Sequence, residues 1–301
     1  MQLWLAATLS AALFQCWRTA KQQKLRGQLS VNGAGVVRYL YGVPVAGLYL
    51  GVWLALMGGT VPGLSWSFLA YTLGGGVAQI VATNLLIMAF GFRGFAVGTA
   101  YSKTEAVQSA VLALVLLQEQ VSLLAWAGVS LSVCGVLYLS LAGRVSSGKE
   151  VLAATFQPAA LCGLAAGFGF GLASVLIKGA NLQLGTESPV LGALVTLFIM
   201  NGMQTVLQGS YLLWREPAEV RKVFASWRDS AWVGALSASG SSCWFIGFAT
   251  APVALVRAVG QVEILFTLLF SRFYLQEKLK QADVVGSLIV VCGVVLVVLG
   301  R

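Results

Sequence analysis

The sequence contains no histidine at all and only two aspartates, Asp229 and Asp283. Their scarcity excludes a Ser-His-Asp triad, a histidine metal site and a histidine proton relay. Charge of either sign is also sparse: 10% of the residues are charged, against about 25% in a typical soluble domain. So few polar groups cannot cover a water-facing surface, and most of the surface is therefore expected to meet lipid. A nucleotide loop is missing too. The stretch Gly167-Phe-Gly-Phe-Gly171 has the glycines of one, but no strand precedes it and no P-loop lysine follows at the required spacing. The first apolar run has no basic residue before it, whereas Arg18, Lys21, Lys24 and Arg26 follow it. A signal peptide has the opposite charge order, so this run is expected to be a retained span.

What the chain does have is apolar length. Of its 301 residues 58% are hydrophobic, and the mean hydropathy is +0.85. At roughly 20 apolar residues per span, this length allows about ten transmembrane helices. Runs and breakers place them near 2–20, 31–57, 65–90, 95–117 and 122–142, then 159–180, 188–214, 230–249, 253–272 and 281–300. The polar stretch 143–157 reads as a linker between a first half, 1–142, and a second, 158–301. Five cysteines (Cys16, Cys134, Cys162, Cys243 and Cys292) lie in apolar runs without metal-ligand spacing. They are expected to be small buried residues, and neither a metal nor any other cofactor is expected.

The net charge of +9 is better explained by loops than by nucleic acid. Loops after odd-numbered spans carry fourteen Lys and Arg; the opposite side carries only Lys178 and Arg301. By the positive-inside rule both termini lie outside the cytoplasm, in a multi-pass protein of the inner (plasma) membrane.

The halves also repeat. A shift of 158 positions superimposes Ala96, Glu105, Gln118, Glu119, Gly128, Cys134 and Gly135 on Ala254, Glu263, Gln276, Glu277, Gly286, Cys292 and Gly293 without a gap. Chance apolar matches are common in such a chain, but matched Gln-Glu pairs and a matched intramembrane Glu are not. Five spans per half is an odd number, so the second copy inserts upside down relative to the first. The predicted fold is all-α: two inverted five-helix repeats around a central cavity, an architecture found among secondary transporters. Gly163, Gly167 and Gly171 share one face of the sixth span and invite a close neighbour. Gly74–Gly76 and Ser237–Ser242 mark tight or kinked places in the third and eighth spans.

Phe90–Gly135 and Phe248–Gly293 resemble the EamA-type repeat of the drug/metabolite transporter superfamily. Each has a span rich in small residues, a Gln-Glu turn and a glycine-containing last span, and Arg38 in Val-Val-Arg-Tyr resembles the arginine of the family's second span. The resemblance implies a ten-helix transporter of amino acids, other metabolites, nucleotide sugars or drugs. It also implies cytoplasmic termini in many members, a point on which the loop charges here disagree.

Five ionisable groups fall inside spans: Arg38, Lys103, Glu105, Arg257 and Glu263. Each costs roughly 2.5–3.5 kcal/mol at a helix centre on insertion scales, so each requires a partner or a cavity. Lys103 and Glu105 lie roughly 13–16 Å into the fourth span at 1.5 Å per residue, and Glu263 is similarly deep in the ninth. Arg38 and Arg257 lie nearer span ends, within snorkelling reach of water. On an unbroken helix Lys103 and Glu105 are about 200° apart and cannot share a face. Thr99 and Lys103 then form one stripe, matched by Arg257 and Gln261, and Tyr101, Glu105 and Gln108 form another, partly matched by Glu263. One stripe lines the cavity and the other meets a neighbouring helix; the sequence leaves open which. Gln79, Asn84, Ser239, Ser242 and Trp244 are further lining candidates. Glu119 and Glu277 are expected to serve helix N-termini at their turns.

Two readings of the charged groups follow. Either the carboxylates pair with the cations and lock the bundle, or at least one stripe binds substrate or a coupling proton. The expected function is secondary active transport, as exporter or exchanger with or without proton coupling, of an amino acid, organic acid or drug. The alternatives are flipping of a lipid-linked or sugar-phosphate substrate, an embedded enzyme, or a structural subunit; the lack of histidine argues against the enzyme. The expected partners are a small-molecule substrate and the lipid bilayer, not nucleic acid, with the chain a monomer or homodimer.

Overall fold

The computed structural model describes residues 3–25, 27–89, 101–141, 156–274 and 281–300. They form thirteen α-helices: α1 (Leu3–Leu25), α2 (Val31–Leu40), α3 (Gly42–Met57), α4 (Trp66–Ala89), α5 (Glu105–Leu117), α6 (Leu123–Leu141), α7 (Pro158–Gln183), α8 (Pro189–Arg215), α9 (Pro217–Ala225), α10 (Trp227–Thr250), α11 (Val253–Val259), α12 (Glu263–Tyr274) and α13 (Gln281–Leu299). The described helix ends fall within a few residues of the expected runs, with α9 added in what reads as a polar loop. Among the described residues four stretches are long and apolar enough to cross a membrane: Val31–Met57, Trp66–Ala89, Pro158–Gln183 and Pro189–Arg215. The linker 143–157 lies almost wholly outside the described residues, as do Thr99 and Glu277.

Local chemistry sets the helix ends. Ser30 and Ser188 accept bonds from Gly33 N and Leu191 N at the starts of α2 and α8. Pro189 and Pro217 occupy first-turn positions, where a missing N–H costs nothing. Three expected spans are interrupted. Between α2 and α3 the chain breaks at Tyr41, because Pro44 cannot donate to the Leu40 carbonyl. The fourth span turns at Lys103–Thr104, where the Thr104 hydroxyl takes the Tyr101 carbonyl at 2.6 Å. The ninth tightens to a 3-10 turn over Gly260–Val262. By contrast α4 and α10 run unbroken through Gly74–Gly76 and Ser237–Ser242. These small residues admit close neighbours such as Leu176 and Gln204 rather than a kink.

The chain forms two compact units, each drawn from both halves of the sequence. The first comprises Met1–Ile80 with Ala173–Ala251. Its apolar core includes Leu50, Phe68, Leu184, Leu191, Leu194 and Val195. The second comprises Val81–Leu172 with Pro252–Arg301. There α6 and α13 meet along a seam of small residues: a Cβ added to Gly128 would fall 2.6 Å from Gly293 O. Such proximity lets two backbones touch without side chains between them. Gly167 and Gly171 do the same for α7, with Ser102 O and Ser109 N at 2.9 and 3.1 Å from the added carbons. The close neighbour of the sixth span is therefore the fourth.

The cysteines depart from expectation. All five are free thiols, but Cys134 and Cys292 are exposed and the other three only partly covered. Cys134 and Cys292 lie on apolar helices whose outer surface suits lipid, where a small thiol needs no protein cover.

Candidate functional site

Five of the nine site candidates meet in the second unit. The breaks in the fourth and ninth spans put Lys103, Glu105, Gln261 and Glu263 at turns or helix starts, and Arg257 in the last turn of α11. Lys103 Nζ lies 2.5 Å from Glu263 Oε2, and Arg257 Nη1 lies 3.4 Å from Glu105 Oε1. Each pair therefore joins the fourth span to the ninth. Arg257 also donates to Phe170 O at 3.4 Å, and Gln261 donates to Lys103 O at 3.1 Å. None of the four charged side chains is more than 14% exposed, so water screens them little.

This geometry corrects the two-stripe reading. Lys103 and Glu105 both reach the ninth span because the turn at Lys103–Thr104 resets the helical phase that kept them apart. The snorkelling expectation fails as well. Arg257 is 7% exposed and ion-paired; Arg38 is 4% exposed, donates to Ser237 Oγ at 3.2 Å and lies 5.4 Å from the Tyr39 ring centroid. Both are anchored inside the protein. Glu119 does serve a helix N-terminus, that of α11. Its Oε2 accepts the Val253 N–H at 2.9 Å, capping α11.

The two pairs are unequal. The Lys103–Glu263 contact is short and direct, whereas the Arg257–Glu105 contact is long and shared with a backbone carbonyl. Tyr101 is buried beside Ala160 and Leu164, and Gln108 donates to Thr104 Oγ1 and to Leu164 O. These residues tie the fourth span to α7 and frame the charged cluster.

Gln79, Ser239, Ser242 and Trp244 belong to the first unit and make neutral contacts there, whereas Asn84 falls in the second. Gln79 accepts from Gln204 Nε2 at 2.8 Å, and the same amide nitrogen reaches Gly76 O at 3.1 Å. Trp244 stacks on Phe248 and donates to Gln15 Oε1 at 3.0 Å. Ser239 shares a 2.6 Å bond with Tyr49 OH, while Ser242 bonds within its own helix. Sequence reasoning missed Gln204 although a signal was present. Asn201, Gln204 and Gln208 recur at helical spacing in α8, and all three are buried.

A second polar cluster in this unit had no such signal. Glu216 and Glu219, at the start of α9, turn inward to the start of α2. Ser30 donates to Glu216 Oε2 through its hydroxyl (2.5 Å) and to Glu219 Oε2 through its N–H (2.8 Å), and Asn32 donates to Glu216 Oε1 at 2.6 Å. Glu219 also pairs with Lys222. That ammonium, with the Ser30 bonds, holds the Glu219 carboxyl below the usual carboxylate range against the cost of partial burial.

Residues 157–299 match the EamA-like transporter family. That segment, a little under half of the chain, is similar to the EamA-like transporter family. The family contains transporters rather than enzymes, and the EamA-type resemblance of the repeats is thereby met over the second half. A solved structure titled only as a crystal structure of a protein is similar over 98% of each chain, with TM-score 0.71 and 17% identity. At that identity the likeness concerns the fold alone. No curated protein matches this chain by sequence. The family match over residues 157–299 and the apolar helices together support a multi-pass membrane protein.

Proposed function

We propose that this EamA-type protein is a secondary active transporter of a small organic metabolite, such as an amino acid or organic acid, or a drug. It works by alternating access, with Lys103, Glu105, Arg257 and Glu263 as its substrate or coupling site. The ten spans form two inverted five-helix repeats in the plasma membrane, with both termini outside the cytoplasm.

The observation that carries this reading is the placement of the charged cluster at paired helix breaks. The turn at Lys103 and the 3-10 turn containing Gln261 are related by the 158-residue shift that superimposes the repeats, and each is followed two residues later by a glutamate. Discontinuous helices with ionisable groups at their broken ends are a common way of building a midplane site. Because the cluster holds two cations and two carboxylates, a proton added to one carboxylate frees one cation to receive an anionic substrate group. Glu105 is the carboxylate given this role, because its contact with Arg257 is the longer of the two. Glu263 and Lys103 hold the spans together.

Reconstitution into proteoliposomes, with uptake screened across amino acids, organic acids and drugs, tests the proposal. Once a substrate is found, Glu105→Gln is expected to fold, keep substrate exchange and lose transport driven by a pH gradient. Wild-type pH dependence in both Glu105→Gln and Glu263→Gln would sink proton coupling through this cluster. Absence of uptake for every solute class would remove the transport reading itself.

A further inference from the structure

We propose that the face formed by α9 with the adjoining turns of α2 and α8 binds an anionic phospholipid. Its phosphate sits among Arg215, Arg221 and Arg228, and one acyl chain occupies the groove between α2, α8 and α9.

The charges around α9 are sorted by direction. Over Trp214–Arg228 the acidic side chains are half-buried: Glu216 and Glu219 are committed to Ser30 and Asn32 of the α2 start. The basic side chains Arg215, Arg221, Lys222 and Arg228 are all exposed. With four basic residues against two acidic ones, and the acidic pair turned inward, the segment presents a mostly positive surface.

Aromatic rings flank the same segment. Trp214 and Trp227 bracket α9, 74% and 55% exposed, and Phe224 is exposed between them. Arg215 and Arg228 lie 4.7 and 5.5 Å from the centroids of their neighbouring indoles. Tryptophan beside arginine suits the headgroup layer, where a ring has an apolar body and a polar edge to satisfy.

The groove supplies the third component. It is an open cavity of about 320 Å³, walled by Val36, Leu40, Val206, Leu213, Val220 and Phe224. A soluble phosphate would use the arginines but leave these walls and the exposed indoles uncovered. A phospholipid satisfies all three, with its headgroup on the arginines, its glycerol region by the indoles and its chain against the valines and leucines.

The test uses the full chain in neutral detergent, with retained lipid read by native mass spectrometry. The probes are phosphatidylglycerol and phosphatidylcholine with identical acyl chains. Phosphatidylglycerol is expected to be retained in preference by wild type. In the triple variant Arg215→Gln, Arg221→Gln, Arg228→Gln that preference is expected to fall by about fivefold for each charge removed. Lys222 is left in place so that the α2 cap stays intact. The corresponding triple Arg→Lys variant keeps the charges and is expected to keep the preference. Gly209→Leu is the independent arm. Gly209 lines the groove and an added Cβ meets nothing within 4 Å, so the larger side chain enters empty space and is expected to weaken retention of both lipids. Equal retention of the two lipids by wild type would overturn the proposal. So would a preference unchanged by the Gln triple, a preference lost in the Lys triple, or binding unaffected by Gly209→Leu. Displacement of the lipid by inorganic phosphate alone would reassign the arginines to a soluble anion.

Discussion

In the unit built from Val81–Leu172 and Pro252–Arg301, the buried Glu105, Arg257 and Glu263 and the largely covered Lys103 are joined as two carboxylate–cation pairs. In the unit built from Met1–Ile80 and Ala173–Ala251, much of the buried polarity is neutral. Gln204 bonds Gln79 and Gly76 O, Trp244 bonds Gln15, and Tyr49 bonds Ser239. The difference lies in what a single loss leaves behind. Taking one member from a neutral pair leaves a dipole short of one bond. Taking one member from an ion pair leaves a bare charge in a dehydrated place, which costs several times more. The ion-paired cluster is therefore brittle towards single substitutions and tolerant of paired ones, whereas the neutral contacts of Gln204, Trp244 and Tyr49 degrade by small steps.

The largest effect that would break this contrast concerns the short pair. Glu263→Gln is expected to cost about 3–5 kcal/mol by stranding Lys103, while the double variant Lys103→Met, Glu263→Met recovers most of the loss. Thermal unfolding in detergent measures both. A double variant as unstable as the single would show that the pair contributes attraction rather than mere neutrality. Among the neutral contacts, Gln204→Leu removes the donor to Gly76 O and Gln79, and about 1–3 kcal/mol is expected by the same assay. A cost equal to that of Glu263→Gln would erase the distinction between the two kinds of contact.

The smallest effect depends on pH. The folded state holds the Glu219 carboxyl below its usual range through Lys222 and Ser30, so its contribution is fully present above the ordinary carboxylate value. It is lost only as pH falls through the lowered folded value. Hydrogen exchange at the Ser30 amide, corrected for its intrinsic rate, is expected to stay slow under mild acid and to quicken in stronger acid. Glu219→Gln should abolish that acid step. A step retained in the variant would assign it to Glu216.

How much of this was legible beforehand depends on the range of the interaction. Apolar run length fixes helix positions locally, so the helix ends were readable to within a few residues. The intramembrane charges were readable too, because residue type alone reveals their cost. Their pairing was not: the phase argument for Lys103 and Glu105 assumed an unbroken helix, and the Thr104 hydroxyl cancels that assumption. Nor does any local pattern tell Glu216 and Glu219 that their partners are Ser30 and Asn32, more than 180 residues away. The Asn201, Gln204 and Gln208 row was visible as helical spacing, whereas the partners of Gln204 on α4 were not.

The long sequence separation of the ion pairs also sets an order of events during synthesis. Glu263 follows Lys103 by 160 residues, and Arg257 follows Glu105 by 152. At about 5–20 residues per second, a ribosome completes the ninth span on the order of ten seconds after the fourth. A nascent chain halted before Arg257 holds Lys103 and Glu105 without either of these partners. The fourth span is thus synthesised early and electrostatically completed late, which makes the interval between the two spans the window in which a membrane quality-control protease has an unfinished substrate to recognise.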